Sequence, residues 1–176
     1  LGGSQADRGP HRRRWTDGVS VEPQLLIGIR GMRAGDVPAV LAIEEVSYGY
    51  PWNERIFRDC LRVGYRGWVA TDLDEAVVGY ALLSVAVGEA HILNLCVAPD
   101  LRGQRVAERL VEAMTRQARA DNAEVLMLEV RPSNKSARRL YKRLGFKRIA
   151  TRPGYYPGPE GREDALLLSR RLVDLA

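Results

Sequence analysis

Along the chain, apolar residues switch between a period of two and a period of about 3.6, and the switches mark out the elements. A first strand is expected over LLIGIRGM, residues 25–32. It is followed by a helix capped by Asp36, with Val37, Val40, Leu41 and Ile43 as a buried stripe running to about Val46. The aromatic turn 47–52 leads to a second helix from about Asn53, carrying Ile56, Phe57, Cys60 and Leu61. Trp68–Ala70, Val77–Val87 and His91–Val97 read as three strands, with a turn at Leu73-Asp74-Glu75. A long helix is expected from about Gly103 to Ala120, with Val106, Ala107, Leu110, Val111, Met114 and Ala118 on one face. Val125–Val130 is a short apolar strand. Pro132 disfavours a helical Arg131, Ser133 or Asn134 offers a cap, and Ala137, Leu140, Tyr141 and Leu144 recur at helical spacing until Gly145 stops the helix. Strands over Lys147–Arg152 and Ala165–Arg171 close the chain, joined by a Gly/Pro-rich loop from Pro153 to Arg162. The order β-α-α-β-β-β-α-β-α-β-β predicts an α/β (α+β) fold, a mixed sheet with helices on both faces.

Two residues interrupt this pattern. Glu129 is a carboxylate inside an apolar strand, and Tyr141 puts a hydroxyl on the buried face of the next helix. Such groups are costly to bury unless they are paired or used. If paired, Glu129 is the partner of Arg131 or another arginine, and Tyr141 is a core tyrosine with a bonded hydroxyl.

The 176 residues, 45% of them hydrophobic, suffice for one domain with a sizeable core, expected over residues 24–176. Residues 1–23 lack periodicity and are expected to be a disordered extension. No apolar run approaches the roughly 20 residues that span a membrane, so a cytoplasmic protein is expected. Cys60 and Cys96 lie far apart and only His11 and His91 are present, which argues against a disulfide scaffold or a metal centre. The net charge is +5, of which residues 1–23 hold +1, from four arginines against three carboxylates. Between Arg131 and Arg152 stand nine basic residues and no acidic one. This is either a solvated helix face or a surface that meets the phosphates of a cofactor or of RNA.

The segment VAPDLRGQRVAERL joins a strand to a helix N-terminus, whose free amides and positive dipole end, with Arg102 and Arg105, suit a pyrophosphate; an ordinary helix start is the plainer alternative. In order and spacing, Arg102-Gly103-Gln104-Arg105-Val106-Ala107, LEVRPSN, RLYKRLGF, GYYP with GREDA, and the early YPWN resemble the GNAT family of N-acetyltransferases. Within it they resemble the RimI-like ribosomal-protein-alanine N-acetyltransferases. The resemblance covers roughly residues 27–171. It implies the GNAT fold, acetyl-coenzyme A as cosubstrate without a metal, and a protein N-terminus as acceptor. It further implies a monomer or weak dimer, with nucleic acid near only in a ribosomal context. By the same resemblance Glu129 is the base and Tyr141 the acid. Leu95, Cys96, Val97, residues Arg102, Gly103, Gln104, Arg105, Val106 and Ala107, and Asn134 hold the cofactor. Tyr50, Trp52, Tyr155 and Tyr156 receive the acceptor. A small-molecule amine acetyltransferase and a degenerate acyl-coenzyme A-binding module without turnover are the alternatives.

Arg105 departs from the family pattern, which has glycine there. A helical backbone at this position accepts arginine without penalty, whereas a positive φ would distort the loop; cofactor binding is expected to be retained, because Gly103, Ala107 and the helix N-terminus remain.

Overall fold

The computed structural model describes residues 26–173, so the expected extension over residues 1–23 lies outside the described residues. Strands β1 (Gly28–Gly31), β2 (Arg66–Thr71), β3 (Val77–Ala86), β4 (Glu89–Val97), β5 (Val125–Val130), β6 (Lys147–Gly158) and β7 (Gly161–Arg171) form one sheet in the order β1-β2-β3-β4-β5-β7-β6. Every pairing is antiparallel except that between β4 and β5. Helices α1 (Val37–Ser47) and α2 (Glu54–Arg62) cover one face, over Val69, Tyr80, Leu82 and Cys96. Helices α3 (Val106–Ala120) and α4 (Lys135–Arg143) cover the other, over Leu83, Ile92, Leu126, Leu128, Leu166 and Leu168.

Local chemistry sets most boundaries. Asn53 and Asn134 cap α2 and α4, accepting from the N–H of Ile56 at 3.0 Å and of Ala137 at 3.1 Å. Gly145, at φ +86°, ends α4 as its left-handed exit. Asp72 closes the β2–β3 turn by accepting from the N–H groups of Asp74 and Ala76.

Three expectations need correction. Asp36 does not cap α1 with its side chain. It instead takes a bidentate pair from Arg30 at 2.8 Å and the N–H of Arg33 at 2.7 Å, across a short 3₁₀ turn. The segment Pro153–Arg162 is mostly strand: β6 and β7 extend to Gly158 and from Gly161 as a long hairpin. Its glycines and prolines mark an irregular stretch, where the register jumps between Arg152 and Tyr156, rather than a loop. Finally, α3 begins at Val106, three residues later than Gly103.

The parallel pair β4–β5 is short. It runs only from Glu89 opposite Val125 to Ile92 opposite Leu128. At that point the β3–β4 register steps, leaving Leu93 as an extra residue, and β4 continues to Val97 against β3 alone. From Leu93 onward β4 and β5 part.

Candidate active site

The parting of β4 and β5 opens a cleft of about 1040 Å³. Its walls include the last residues of β4 and β5, the start of α3, the inner flank of α4, the α1–α2 loop and the tip of β6. Of the residues singled out in the sequence, all but one line it: Tyr50, Trp52, Leu95, Cys96, Val97, Arg102, Gly103, Arg105, Val106, Ala107, Glu129, Asn134, Tyr141, Tyr155 and Tyr156. The exception is Gln104, an exposed residue outside the lining.

The free edge of β4 has a definite polarity. Ala98 donates its N–H to the carbonyl of Val78, so by ladder alternation Cys96 and Asn94 bond toward β3, while Leu95 and Val97 turn theirs to the cleft. Both cleft-side carbonyls are taken. Tyr48 donates its hydroxyl to that of Leu95 at 2.9 Å, and Arg102 Nε donates to that of Val97 at 3.1 Å. The N–H groups of Leu95 and Val97 thus remain as donors facing the gap. Arg102 also reaches Ser47 Oγ at 2.9 Å, so it clasps α1 to β4 as well as facing the cleft.

At the α3 end, Arg105 adopts φ +61° and ψ +14°, in the left-handed region. Of the two alternatives the positive φ holds: the chain must reverse after Gly103 (φ +79°) before α3 begins, and residue 105 makes that reversal. A non-glycine residue pays for this conformation with about 1–2 kcal/mol of Cβ crowding. The first turn of α3, which no side chain caps, lines the cleft together with Arg105, Arg139 and Arg143, and Arg143 is 3.4 Å from Glu108.

Tyr141 is 6% exposed and stacks edge-on against Phe146. Burial drives its hydroxyl well above the ordinary tyrosine range, so it stays protonated. Glu129, on β5, lines the same cleft. Its nearest cation is Arg152 at 3.5 Å rather than Arg131, which binds Glu163 at 3.2 Å and the carbonyl of Pro157 and lies over the Tyr156 ring. Burial, then the charge of Glu129, pushes the Tyr156 hydroxyl up to about 12. Tyr155 packs edge-on against Tyr156 at 4.9 Å. Asn134 spends its side-chain oxygen on the α4 cap, which leaves its amide nitrogen for the cleft. Among the described residues no group of three or more His, Cys, Asp or Glu is placed to hold a metal.

Glu44, which the sequence reading passed over, is the most buried carboxylate of the site, at 1% exposure. Its Oε1 accepts the N–H of Trp52 at 2.8 Å; its Oε2 accepts the Tyr80 hydroxyl and, at 3.2 Å, Asn94 Nδ2. One donor comes from the α1–α2 loop, one from β3 and one from β4. Trp52 then stacks on Phe57, and Phe57 on Tyr80. The helical period could have found it, since position 44 follows Val37 by seven and Val40 by four on the stripe.

A model of the acetyltransferase (GNAT) family matches residues 37–146. The [ribosomal protein bS18]-alanine N-acetyltransferase of Escherichia coli K12 is 32% identical over 80% of this chain and 95% of its own. A protein of Bacillus subtilis 168, named as a putative enzyme of the same kind, is 31% identical over 80% and 92%. The crystal structure of the ribosomal-protein-S18-alanine N-acetyltransferase from E. coli superposes with a TM-score of 0.79 at 30% identity, over 86% of this chain and 97% of that one. Ard1 from Thermoplasma volcanium gives 0.76 at 28% identity, over 84% and 99%.

Two tests follow from this geometry. Arg105→Gly should raise the free energy of unfolding by about 1 kcal/mol, whereas Arg105→Ala, which keeps the Cβ, should not. Urea titration of both variants measures this, and equal stabilities would place the strain elsewhere. Glu44→Ala leaves three donors without their acceptor and should cost at least about 2–3 kcal/mol, while Glu44→Gln, which still accepts from Trp52, should cost much less. If the alanine variant melts like the parent, Glu44 does not hold the loop.

Proposed function

This chain belongs to the GNAT family of acetyltransferases, and from that premise we propose that it moves the acetyl group of acetyl-coenzyme A onto the α-amine of a protein N-terminus. The acceptor on this reading is the N-terminal alanine of a small-subunit ribosomal protein. The observation that carries it is the likeness to enzymes named for that acceptor, which extends over nearly their whole length.

The residues fit the cosubstrate. An extended amide-bearing arm matches the free edge of β4, where the N–H groups of Leu95 and Val97 want acceptors and Asn134 offers a donor. The first amides of α3, with Arg105, Arg139 and Arg143 nearby, suit its phosphates. Acetyl-coenzyme A, when bound, supplies an acetyl group activated as a thioester.

The chain's own groups then divide the proton work. Donors at the edge of β4 favour negative charge on a carbonyl oxygen placed there. Glu129 takes a proton from the incoming ammonium, directly or through water, and Tyr141, kept protonated by burial, gives one to the departing sulfur. No covalent bond to the enzyme is needed, and Cys96 need not be a nucleophile. An α-amine titrates near 8 and lysine near 10.4, so freeing a lysine amine at pH 7 costs roughly 3 kcal/mol more. The α-amine is therefore the easier acceptor for a carboxylate base. The aromatic pairs Tyr50/Trp52 and Tyr155/Tyr156 line the cleft, and on this reading they receive the acceptor and favour a small first residue.

Mass spectrometry of peptides incubated with acetyl-coenzyme A tests the acceptor. Peptides beginning with Ala or Ser should be acetylated at the terminus, and the same peptides with a blocked terminus and internal lysines should not. Preference for blocked, lysine-bearing peptides or for spermidine would overturn the acceptor assignment, and binding without turnover would leave only an acyl-coenzyme A-binding module. For the chemistry, Tyr141→Phe should lower kcat by about 10²–10⁴-fold with cosubstrate affinity unchanged. Glu129→Gln should slow turnover most at low pH, where the amine is protonated. Full activity of both variants at neutral pH would return these residues to structural roles.

A further inference from the structure

The nine basic residues between Arg131 and Arg152 divide into three groups in the folded chain. Arg131 and Arg152 are tied to Glu163 and Glu129 and to the tyrosines of β6. Arg139 and Arg143 line the cleft. The other five, Lys135, Arg138, Lys142, Lys147 and Arg148, are exposed, lie outside the cleft lining, and have no carboxylate within ion-pair distance among the described residues. At 100° per residue, Lys135 and Lys142 point straight out from α4, opposite the buried Tyr141 and the partly buried Ala137, Leu140 and Leu144 that pack on the core. Ser136 and Arg143 flank them toward the cleft, and Arg138 flanks them on the far side, toward the edge of the sheet. On β6, the edge strand, Arg148 pairs with Leu168, whose side chain is in the core beneath α4. Arg148 therefore faces the same side of the sheet as α4, while Lys147, opposite Ser169, faces away.

We propose that Lys135, Arg138, Lys142 and Arg148 form a binding surface for the phosphate backbone of RNA, which docks the enzyme beside its acceptor. This rests on the reading that the acceptor is a ribosomal protein. Like charges at spacings of three, four and seven residues work against a helix, and Lys135 adds to this at the positive end of the dipole. No carboxylate on this face relieves them, so the surface suits an anion that repeats along a line. The cosubstrate's phosphates are served by the opposite flank of α4. A membrane surface would call for apolar side chains beside the cations, and the outward face of α4 offers only Lys and Arg. RNA supplies repeated phosphates, and cations alone hold it without reading its sequence.

The test uses the full chain and a fluorescein-labelled RNA hairpin, with affinity followed by anisotropy across a KCl series. Four phosphate contacts predict a slope of log K against log salt of about −3, at 0.7–0.9 per contact. The combined Lys135→Glu, Arg138→Glu, Lys142→Glu, Arg148→Glu variant should weaken binding by at least about tenfold and flatten that slope, while Lys147→Glu does neither. Acetylation of a free N-terminal peptide by the combined variant should stay within about twofold of the parent, since none of the four lines the cleft. RNA affinity unchanged in the variant overturns the proposal. So does tighter binding to polyglutamate or to phosphatidylserine vesicles than to RNA, which would assign the face to an acidic protein or a lipid surface. A parent chain that binds RNA but leaves the peptide unmodified would count against the acceptor reading instead, and the two failures are thereby distinguished.

Discussion

Everything at this site depends on β4 and β5 ceasing to pair after Ile92 and Leu128. A sheet interior normally uses every N–H and carbonyl, and a parallel pair gives them up only at a cost. Here the cost is reduced from one side. The extra residue at Leu93 turns the remainder of β4 onto β3, and two side chains, Tyr48 and Arg102, take the exposed carbonyls of Leu95 and Val97. What remains unsatisfied is of one kind, N–H donors. An edge that offers only donors selects a ligand rich in acceptors, and the gap is accordingly more than a break in the sheet.

The same two side chains connect the gap to the end of α1. Tyr48 belongs to the turn after that helix, and Arg102 reaches back to Ser47 at its last position. Glu44, one turn earlier, bonds to Asn94 on β4 and to the backbone of Trp52. The C-terminal turn of α1, the α1–α2 loop and the free edge of β4 are therefore one bonded unit. A displacement of the loop would disturb the carbonyls that Tyr48 and Arg102 hold, so the loop and the free edge of β4 share a common support.

The sequence revealed the order of elements because each strand and helix carries its own period, and it revealed most of the cleft through the motifs that resemble the GNAT family, with Glu129 and Tyr141 also standing out because they break that period. Three things stayed hidden for physical reasons. The conformation of Arg105 is set by where the chain must go after β4, a tertiary demand that a one-residue departure from a glycine pattern does not disclose. The β6–β7 hairpin was masked by glycines and prolines that signal a turn, although here they serve the irregular register around Gly154. Glu44 lay on the correct helical stripe, but a carboxylate is read as polar until its three donors, from three separate elements, are brought together.

The alternation of β5 also places the proposed acid and base on opposite sides of the sheet. Leu126, Leu128 and Val130 enter the core beneath α3 and α4, where Tyr141 also lies. Glu129, between them in sequence, points to the other face, toward Arg152 and the aromatic loops. A proton removed on one face and a proton delivered on the other imply a line of transfer that passes through the gap between β4 and β5. On the proposed reading the acceptor approaches from the side of Glu129 and the thiol departs on the side of Tyr141. Neither group then has to serve both partners, as a single base would in a two-step mechanism through an acyl-enzyme. Direct attack is the chemistry this division favours, because it lets acceptor and donor meet within the gap from opposite faces.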